Sequence, residues 1–340
     1  MTTSEATAVT PQRLMQMAWG YAPPLMIEAA IRNKVFDALN GGAKSAAEVA
    51  SATGTSVRGL TILMNALTGL ELLAKDTAGR YSLTPESATF LVSTKPTFLG
   101  GLLRHTSTQL VPKWLSLTDI VRSGKPARGV NEEETGSEFF EQFVEDIFPM
   151  SYPSAKLLAE TLALPQAAKP VKVLDLAAGS GVWGIALAQS SPQVSVTAVD
   201  WPKVLPVTQN VVKRFGLSDR FQFVAGDLST ANFGTAYDVA TLGHILHSEG
   251  KQSSTALLKK TFNALAPGGT IAIAEFLVDE ERATSVMGLI FAVNMLVNTN
   301  DGDTFTFNEI SGWLRDAGFT DMRSVDSPGP SPLILATKPK

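Results

Sequence analysis

Cysteine is absent from this chain, and histidine occurs only three times. Without a thiol there is no disulfide, no cysteine-ligated zinc and no thiol catalysis. Long apolar runs are missing as well: no uninterrupted apolar stretch is long enough to cross a bilayer. Residues 1–10 are polar and lack the charged-then-apolar pattern of a secretory signal. Excess positive charge is lacking, the formal net charge being -4, so no broad attraction to nucleic acid or to an anionic membrane is expected. Together these absences lead us to expect a cytoplasmic protein that binds neither. What is present is apolar material, 44% hydrophobic residues against 18% charged, enough for packed cores. The length of 340 residues suggests about two domains.

The first half reads as helical. Residues 11–39 place Leu14, Met17, Ala18, Leu25 and Ala29 at helical spacing, with an interruption expected at Pro23 and Pro24. Ser45 is placed to cap a short helix through Ala50, Gly54 and Thr55 make a turn, and Ser56 caps a second helix running to Gly69. Leu72 and Leu73, a turn at Gly79, and residues 80–83 read as a β-hairpin. Helix, turn, helix and hairpin form a winged-helix pattern, which invites a DNA-binding reading. Between Val57 and Leu73, however, stand one arginine, Arg58, and no lysine, whereas a recognition helix needs side chains for phosphates and base edges. Leu60, Ile62, Leu63, Met64, Leu67 and Leu70 suit packing within the domain and against a second subunit, so a homodimer is expected. Residues 125–135 read as a surface loop, 139–162 as helix and 166–170 as a linker. The expected domains are 1–165, an all-helical, winged-helix-like dimerisation domain, and 166–340.

From Val171 onward strands and helices alternate. Strands are predicted at 171–176, 194–200, 221–225, 237–242 and 270–276, and helices at 181–189, 203–215 and 253–265. Such alternation implies an α/β, Rossmann-like parallel sheet with helices on both faces. The ending differs: 322–326 and 333–337 are strands separated by a short Ser-Pro-Gly-Pro-Ser-Pro connection, an antiparallel hairpin.

The first of these strands ends at Asp175 and runs into Leu176-Ala177-Ala178-Gly179-Ser180-Gly181. Gly179, Gly181 and Gly184 satisfy G-x-G-x-x-G, a weak signal that first suggests a dinucleotide. Two features point elsewhere: several residues separate the strand from its first glycine, and an antiparallel hairpin closes the sheet. The pattern D-x-A-x-G-x-G resembles motif I of class I methyltransferases that use S-adenosyl-L-methionine (SAM). In such a site Gly179 and Gly181 let the backbone approach the methionyl part, and Asp175 would sit near the ligand's positive end. Asp200 ends the next strand roughly 20 residues beyond the glycines, the spacing of a carboxylate on ribose hydroxyls. Trp201 would lie against the adenine, and Asp227, in Gly226-Asp227-Leu228, would accept from its amino group. Three acids at the ends of successive strands define one crevice. The alternative is that Asp175 and Asp227 are only turn or helix caps.

Two histidines follow the fourth strand in Leu242-Gly243-His244-Ile245-Leu246-His247, at the ligand face of the sheet. A histidine within reach of a substrate hydroxyl removes its proton at neutral pH, and attack on a sulfonium methyl then needs positioning and desolvation. The alternative is one structural and one surface histidine. His244, His247 and Glu249 also raise a metal reading, but H-x-x-H fits common zinc spacings poorly and no cysteine is there to help, so no metal is expected.

The order of these features resembles the small-molecule O-methyltransferases of plant-type architecture, with their bacterial natural-product and acetylserotonin-like members, over nearly the whole chain. The resemblance implies SAM as cofactor, held by Asp175, Gly179, Gly181, Asp200, Trp201, Asp227, Leu228 and Gly243. It implies His247 as the base of an L-x-x-x-x-H-D-W-like pattern whose Asp-Trp is here Ser248-Glu249. His244 stands at a position that is commonly tryptophan, and a family lysine falls on Gly243. Glu275 would orient the base, and His244 joins the catalytic candidates. A second acidic position falls loosely in 300–304, on Thr304 with Asp303 beside it. Met287, Phe291, Asn294, Met295 and Asn298, on one helical face, would line the acceptor pocket with Tyr152, and suit a flat, apolar or aromatic molecule. Asn294 and Asn298 would find partners in a substrate oxygen. Trp19, Tyr21, Phe98, His105, Trp114 and Phe148 are further candidates to close the pocket. The expected function is methyl transfer to a hydroxyl of a small aromatic or polyketide-like acceptor. Left open are SAM-binding relatives with pericyclic, decarboxylating or hydroxylating chemistry, C- or N-methylation, and a winged-helix regulator with a ligand domain.

Overall fold

The computed structural model describes residues 9–126 and 128–340, so most of the polar stretch 1–10 lies outside the described residues. The chain divides into two compact units, Met1–Leu110 and Val111–Lys340.

The first unit carries α1 (Gln12–Ala18), α2 (Ala22–Arg32), α3 (Val35–Leu39), α4 (Ala46–Thr53), α5 (Val57–Gly69), β1 (Leu73–Lys75), β2 (Tyr81–Leu83), α6 (Pro85–Phe90) and α7 (Gly100–His105), the last continued by a π-helical turn, Thr106–Leu110. Local chemistry sets its boundaries. Ser45 and Glu48 form a capping box at α4, Gly54 ends that helix at φ 67°, and Ser56 caps α5. The interruption expected at Pro23 and Pro24 lies instead at residues 19–21. Both prolines sit in the first turn of α2, where a missing N–H costs no helical bond. Strands β1 and β2 pair antiparallel as the wing-like hairpin. Phe36, Leu39, Leu60, Met64, Leu67 and Tyr81 are buried together, while α1 buries nothing. Leu14, Met15, Met17, Trp19 and Tyr21 are exposed, as is Ile62 on α5.

The second unit opens with α8 (Val111–Trp114), α9 (Leu117–Ser123), α10 (Glu133–Phe143) and α11 (Phe148–Thr161). The single helix expected over 139–162 is thus two, and helix begins at Glu133, inside the expected loop. The chain breaks at residues 144–147, and Pro149 then enters the first turn of α11. There follow β3 (Val171–Leu176), α12 (Val182–Ser190), β4 (Val194–Asp200), α13 (Leu205–Arg214), β5 (Phe221–Ala225), β6 (Tyr237–Gly243), α14 (Leu246–Ala264), β7 (Leu265–Ala274), α15 (Val286–Asn298), α16 (Phe307–Ala317), β8 (Thr320–Val325) and β9 (Leu333–Thr337). Helix α14 starts seven residues before its expected start at Ser253, so His247 stands in its first turn, ahead of a non-helical Gly250.

Strand order is β5-β4-β3-β6-β7-β9-β8. β3 to β7 run parallel, and β9 and β8 close one edge antiparallel. Alternate residues of β3 face opposite cores: Val173 packs with Ile185 and Leu187 of α12, and Leu174 and Leu176 pack with Leu257 and Leu258 of α14. Burial on both faces is why these strands read as apolar runs. The chain winds outward from β3 to β5 and then returns to β6 on the other side of β3. That reversal opens a crevice at the carboxyl ends of β3 and β6.

Candidate active site

At the carboxyl end of β3 the buried Asp175 organises the glycine turn. Asp175 and Thr241 are cross-strand partners, and Thr241 Oγ1 donates to Asp175 Oδ1 at 2.7 Å. The Gly184 amide donates to its other oxygen at 2.9 Å. Burial raises the Asp175 carboxyl to about 7 against these two hydrogen bonds, with the charge of Asp200 adding to the rise. Asp175 has no exposed surface. It therefore shapes the turn from behind and does not face the cleft, where the sequence had set it beside the ligand's positive end. Gly179 and Gly181 adopt φ 55° and 77°, conformations that disfavour a side chain. Thr208 Oγ1 anchors the turn on the Gly179 carbonyl at 2.6 Å.

Asp200, at the end of β4, accepts from the Gly179 amide at 2.7 Å and from the Trp201 amide at 2.7 Å. Burial raises its carboxyl to about 6 in spite of both amides. The side chain is deeply surrounded yet only half-buried, as in a concavity. Trp201 Nε1 donates to Asp227 Oδ2 at 3.1 Å, and Ser229 donates to Asp227 Oδ1. Burial raises Asp227, but the bonds from Ser229 and Trp201 and the charge of Lys260 outweigh it, leaving the carboxyl below its ordinary value. Asp200, Trp201 and Asp227 thus form one connected rim. Leu228 adds its carbonyl, which accepts from Lys260 Nζ at 2.7 Å. At Gly243 an added Cβ would stand 1.8 Å from Trp183 Nε1. The space beside Gly243 is filled by the indole of Trp183, packed from α12.

His247 and Glu275 meet as expected from the sequence. His247 Nδ1 and Glu275 Oε2 are 2.8 Å apart, and the His247 amide donates to Glu275 Oε1 at 3.2 Å. Burial raises the Glu275 carboxyl, and the charge and hydrogen bonds of His247 overcome that, holding it below its usual range. His247 Nε2 makes no hydrogen bond among the described residues. Phe291 packs edge-on against the His247 ring at 4.9 Å, and Phe276 packs on Phe291 at 4.2 Å. His244, with φ 61°, turns its Nε2 to Ser331 Oγ at 2.8 Å. Burial depresses its imidazole to about 4, so the ring is neutral. It faces Phe276 at 5.1 Å. The 300–304 loop reaches His247 through the backbone, the Asp303 amide donating to the His247 carbonyl at 2.9 Å. Asp303 pairs with Arg282 at 3.6 Å, and the buried Thr304 bonds the Gly288 carbonyl.

The remaining acceptor candidates divide. Phe291, Asn294, Met295 and Asn298 share the face of α15 that continues from His247. Met287, on the same helix, is 73% exposed and stands outside the packed wall. Tyr152 donates to Gln189 at 2.7 Å and stacks on Phe148 at 5.3 Å. Since α12 runs from the carboxyl to the amino ends of the strands, Gln189 lies at the far end of the sheet, and Tyr152 and Phe148 are not brought to His247. Trp114 Nε1 reaches Asn294 Oδ1 at 3.0 Å. Trp19, Tyr21, Phe98 and His105 belong to the first unit. Sequence reasoning missed Thr208, Thr241, Trp183, Phe276, Ser331 and Lys113, whose Nζ donates to Asn298 Oδ1 at 3.0 Å. All six act through partners distant in sequence. Phe276 alone carried a signal, as the neighbour of Glu275.

A family model described as an O-methyltransferase domain matches residues 114–320, and one described as an O-methyltransferase dimerisation domain matches residues 15–93. The chain is similar to 3-hydroxy-5-methyl-1-naphthoate 3-O-methyltransferase of Streptomyces sahachiroi, with 32% identity over 96% of this chain and 95% of that protein. It is 28% identical to the tetracenomycin polyketide synthesis 8-O-methyl transferase TcmO of Streptomyces glaucescens, over 97% of each. Its fold is that of human N-acetylserotonin methyltransferase, solved in complex with SAM, with a TM-score of 0.85, 24% identity and 100% of both chains covered.

Proposed function

Because this chain belongs to the O-methyltransferase family, we propose that it moves the methyl group of SAM onto a hydroxyl of a fused aromatic, polyketide-like acceptor, with His247 as general base. One observation carries the reading: His247 is clamped at Nδ1 by a buried carboxylate while Nε2 stays free beside two phenylalanine rings. Chemistry with no proton to remove has no use for such a pair, which favours O-transfer over the pericyclic or decarboxylating alternatives.

The cofactor fits the rim described above. Left-handed glycines bare the backbone after β3, and carboxylates stand at the ends of β4 and after β5. Gly179 and Gly181 would hold the methionyl end, Asp200 the ribose hydroxyls, and Trp201 with Asp227 the adenine. When bound, SAM supplies an electrophilic methyl on a cationic sulfur. His247 Nε2 takes the proton of the acceptor hydroxyl. Glu275 keeps Nδ1 protonated, which fixes the tautomer, and stabilises the imidazolium that forms. Neutral His244 is a poor proton donor, and it braces Phe276 instead. Phe276 and Phe291 hold water off the reacting oxygen and suit a flat ring system. The acceptors for which two relatives are named, a hydroxynaphthoate and a tetracenomycin polyketide, support the same class.

In this reading the first unit makes a homodimer. The match to a dimerisation domain supports it, as do the exposed Leu14 and Met17 on α1, Trp19 just after it and Ile62 on α5. The test of function is a methyl-labelled SAM assay against a panel of hydroxylated aromatics, with the label located by NMR. Label on oxygen, and a turnover reduced roughly 100-fold or more in His247→Ala, are expected. Label on carbon or nitrogen, or full turnover in that variant, refutes the assignment.

A further inference from the structure

The face of α15 beyond Phe291 holds a polar network. Asn298 Nδ2 donates to Asn294 Oδ1 at 3.0 Å, and Trp114 Nε1 donates to the same oxygen at 3.0 Å. Lys113 Nζ donates to Asn298 Oδ1 at 3.0 Å. An indole N–H and an ammonium only donate, so the orientation of both amides is fixed and both amide oxygens are occupied. What remains free on Asn294 and Lys113 is donors alone. Asn294 Nδ2 has no partner among the described residues, and Lys113 has spent one of its three N–H bonds there. No carboxylate pairs with Lys113 among the described residues. Its ammonium lies half-buried, 4.9 Å over the Phe139 ring. Burial, and then the charge of Arg128, hold Lys113 below the ordinary lysine value.

This donor set shares a wall with the base. Phe291 touches the His247 ring. Helical rise puts Asn294 about 4.5 Å, and Asn298 about 10 Å, farther along the axis from Phe291, within the reach of a substituent on two fused rings. A cation half-stripped of water with no acid partner is costly until an anion arrives. A carboxylate, which only accepts, matches the free groups of Lys113 and Asn294, which only donate.

We infer that Lys113 and Asn294 form an anion subsite that selects acceptors bearing a carboxylate on the aromatic skeleton, away from the hydroxyl that meets His247. The inference rests on the methyl-transfer reading above and narrows its acceptor. A neutral ring in the same place leaves the ammonium unpaired, so the subsite discriminates against it.

The test is calorimetric titration of the full-length protein, saturated with S-adenosylhomocysteine, with 3-hydroxy-1-naphthoate, 6-hydroxy-2-naphthoate and 2-naphthol, the neutral counterpart of both acids. At least one naphthoate is expected to bind about 10- to 100-fold more tightly than 2-naphthol. Lys113→Met should abolish that preference. Asn294→Asp keeps an oxygen toward Trp114 and Asn298 but turns the free donor into an acceptor, and it should reverse the preference. S-adenosylhomocysteine binding by each variant reports that it is folded. Equal binding of acids and naphthol by the wild type, no binding of any of the three, or a preference that survives both substitutions overturns the inference. Failure of S-adenosylhomocysteine to bind the wild type instead brings down the methyl-transfer reading. A cofactor-loaded protein indifferent to the carboxylate brings down only the subsite.

Discussion

Substituting Glu275 by glutamine isolates the charge behind the base. The Glu275 side chain is 2% exposed and spends both oxygens on N–H groups: Oε1 on the His247 amide, and Oε2 on His247 Nδ1 and the Phe276 amide. Glutamine fills the same volume but has one acceptor, so one of those groups faces an N–H. If the amide nitrogen turns toward Nδ1, the ring takes the other tautomer and Nε2 carries a proton, which leaves no base. If it turns the other way, the tautomer survives but the imidazolium loses its counter-charge. A hydrogen bond to a charged group contributes about 1.5–3 kcal/mol, so the milder outcome already lowers kcat by ~10- to 100-fold. The tautomer switch approaches the ~10⁴-fold loss that such a change causes in a hydrolase triad. Single-turnover methyl transfer at saturating SAM measures the step. Glu275→Asp, which retains the charge, should recover part of the rate. A Glu275→Gln rate within about three-fold of wild type refutes the assigned role.

Asp200, raised to about 6 by burial, ties cofactor affinity to pH. Its ionised form accepts from ribose, so S-adenosylhomocysteine affinity should fall as pH drops through about 6, followed by calorimetry across that range. Asp175, raised to about 7, binds its proton more tightly in the folded than in the unfolded chain. Stability from this group is complete below 3.8 and is lost as pH rises through about 7. Asp175→Asn should flatten that slope in denaturant titrations of the cofactor-free protein, and an unchanged slope would reject the assignment. Gly243→Ala drives a methyl into the Trp183 indole. A loss of roughly 1–3 kcal/mol of stability is expected, read as a lower denaturation midpoint. Ile62→Glu together with Trp19→Glu should shift the sedimentation of a homodimer to that of a monomer.

The sheet was legible because strands buried on both faces run apolar, and several ended where a polar residue or glycine broke the run, as at Asp200 and Gly243. The pairing of His247 with Glu275 was legible because one stands four residues beyond β6 and the other directly after β7, where parallel topology fixes their rim. Other features depended on contacts that no local pattern carries. Residues 144–147, where α10 and α11 separate, contain neither glycine nor proline. Tyr152 has the composition of a pocket residue, but its helix face points to α12, and periodicity does not say which neighbour a face will meet. Asn294 and Asn298 were expected to find partners in a substrate oxygen, whereas the described partners belong to the chain itself. The partners, Lys113 and Trp114, lie some 180 residues away in sequence, a pairing made only by folding.

Calorimetric titration of the purified protein with S-adenosylhomocysteine is the most direct check. One molecule should bind per chain, with affinity lost by ~100-fold or more in Asp200→Ala, since a buried carboxylate on the ribose would be gone. No heat of binding from either S-adenosylhomocysteine or SAM between pH 7 and 8, above the value of about 6 to which burial raises Asp200, would contradict the assignment of this rim as the cofactor site.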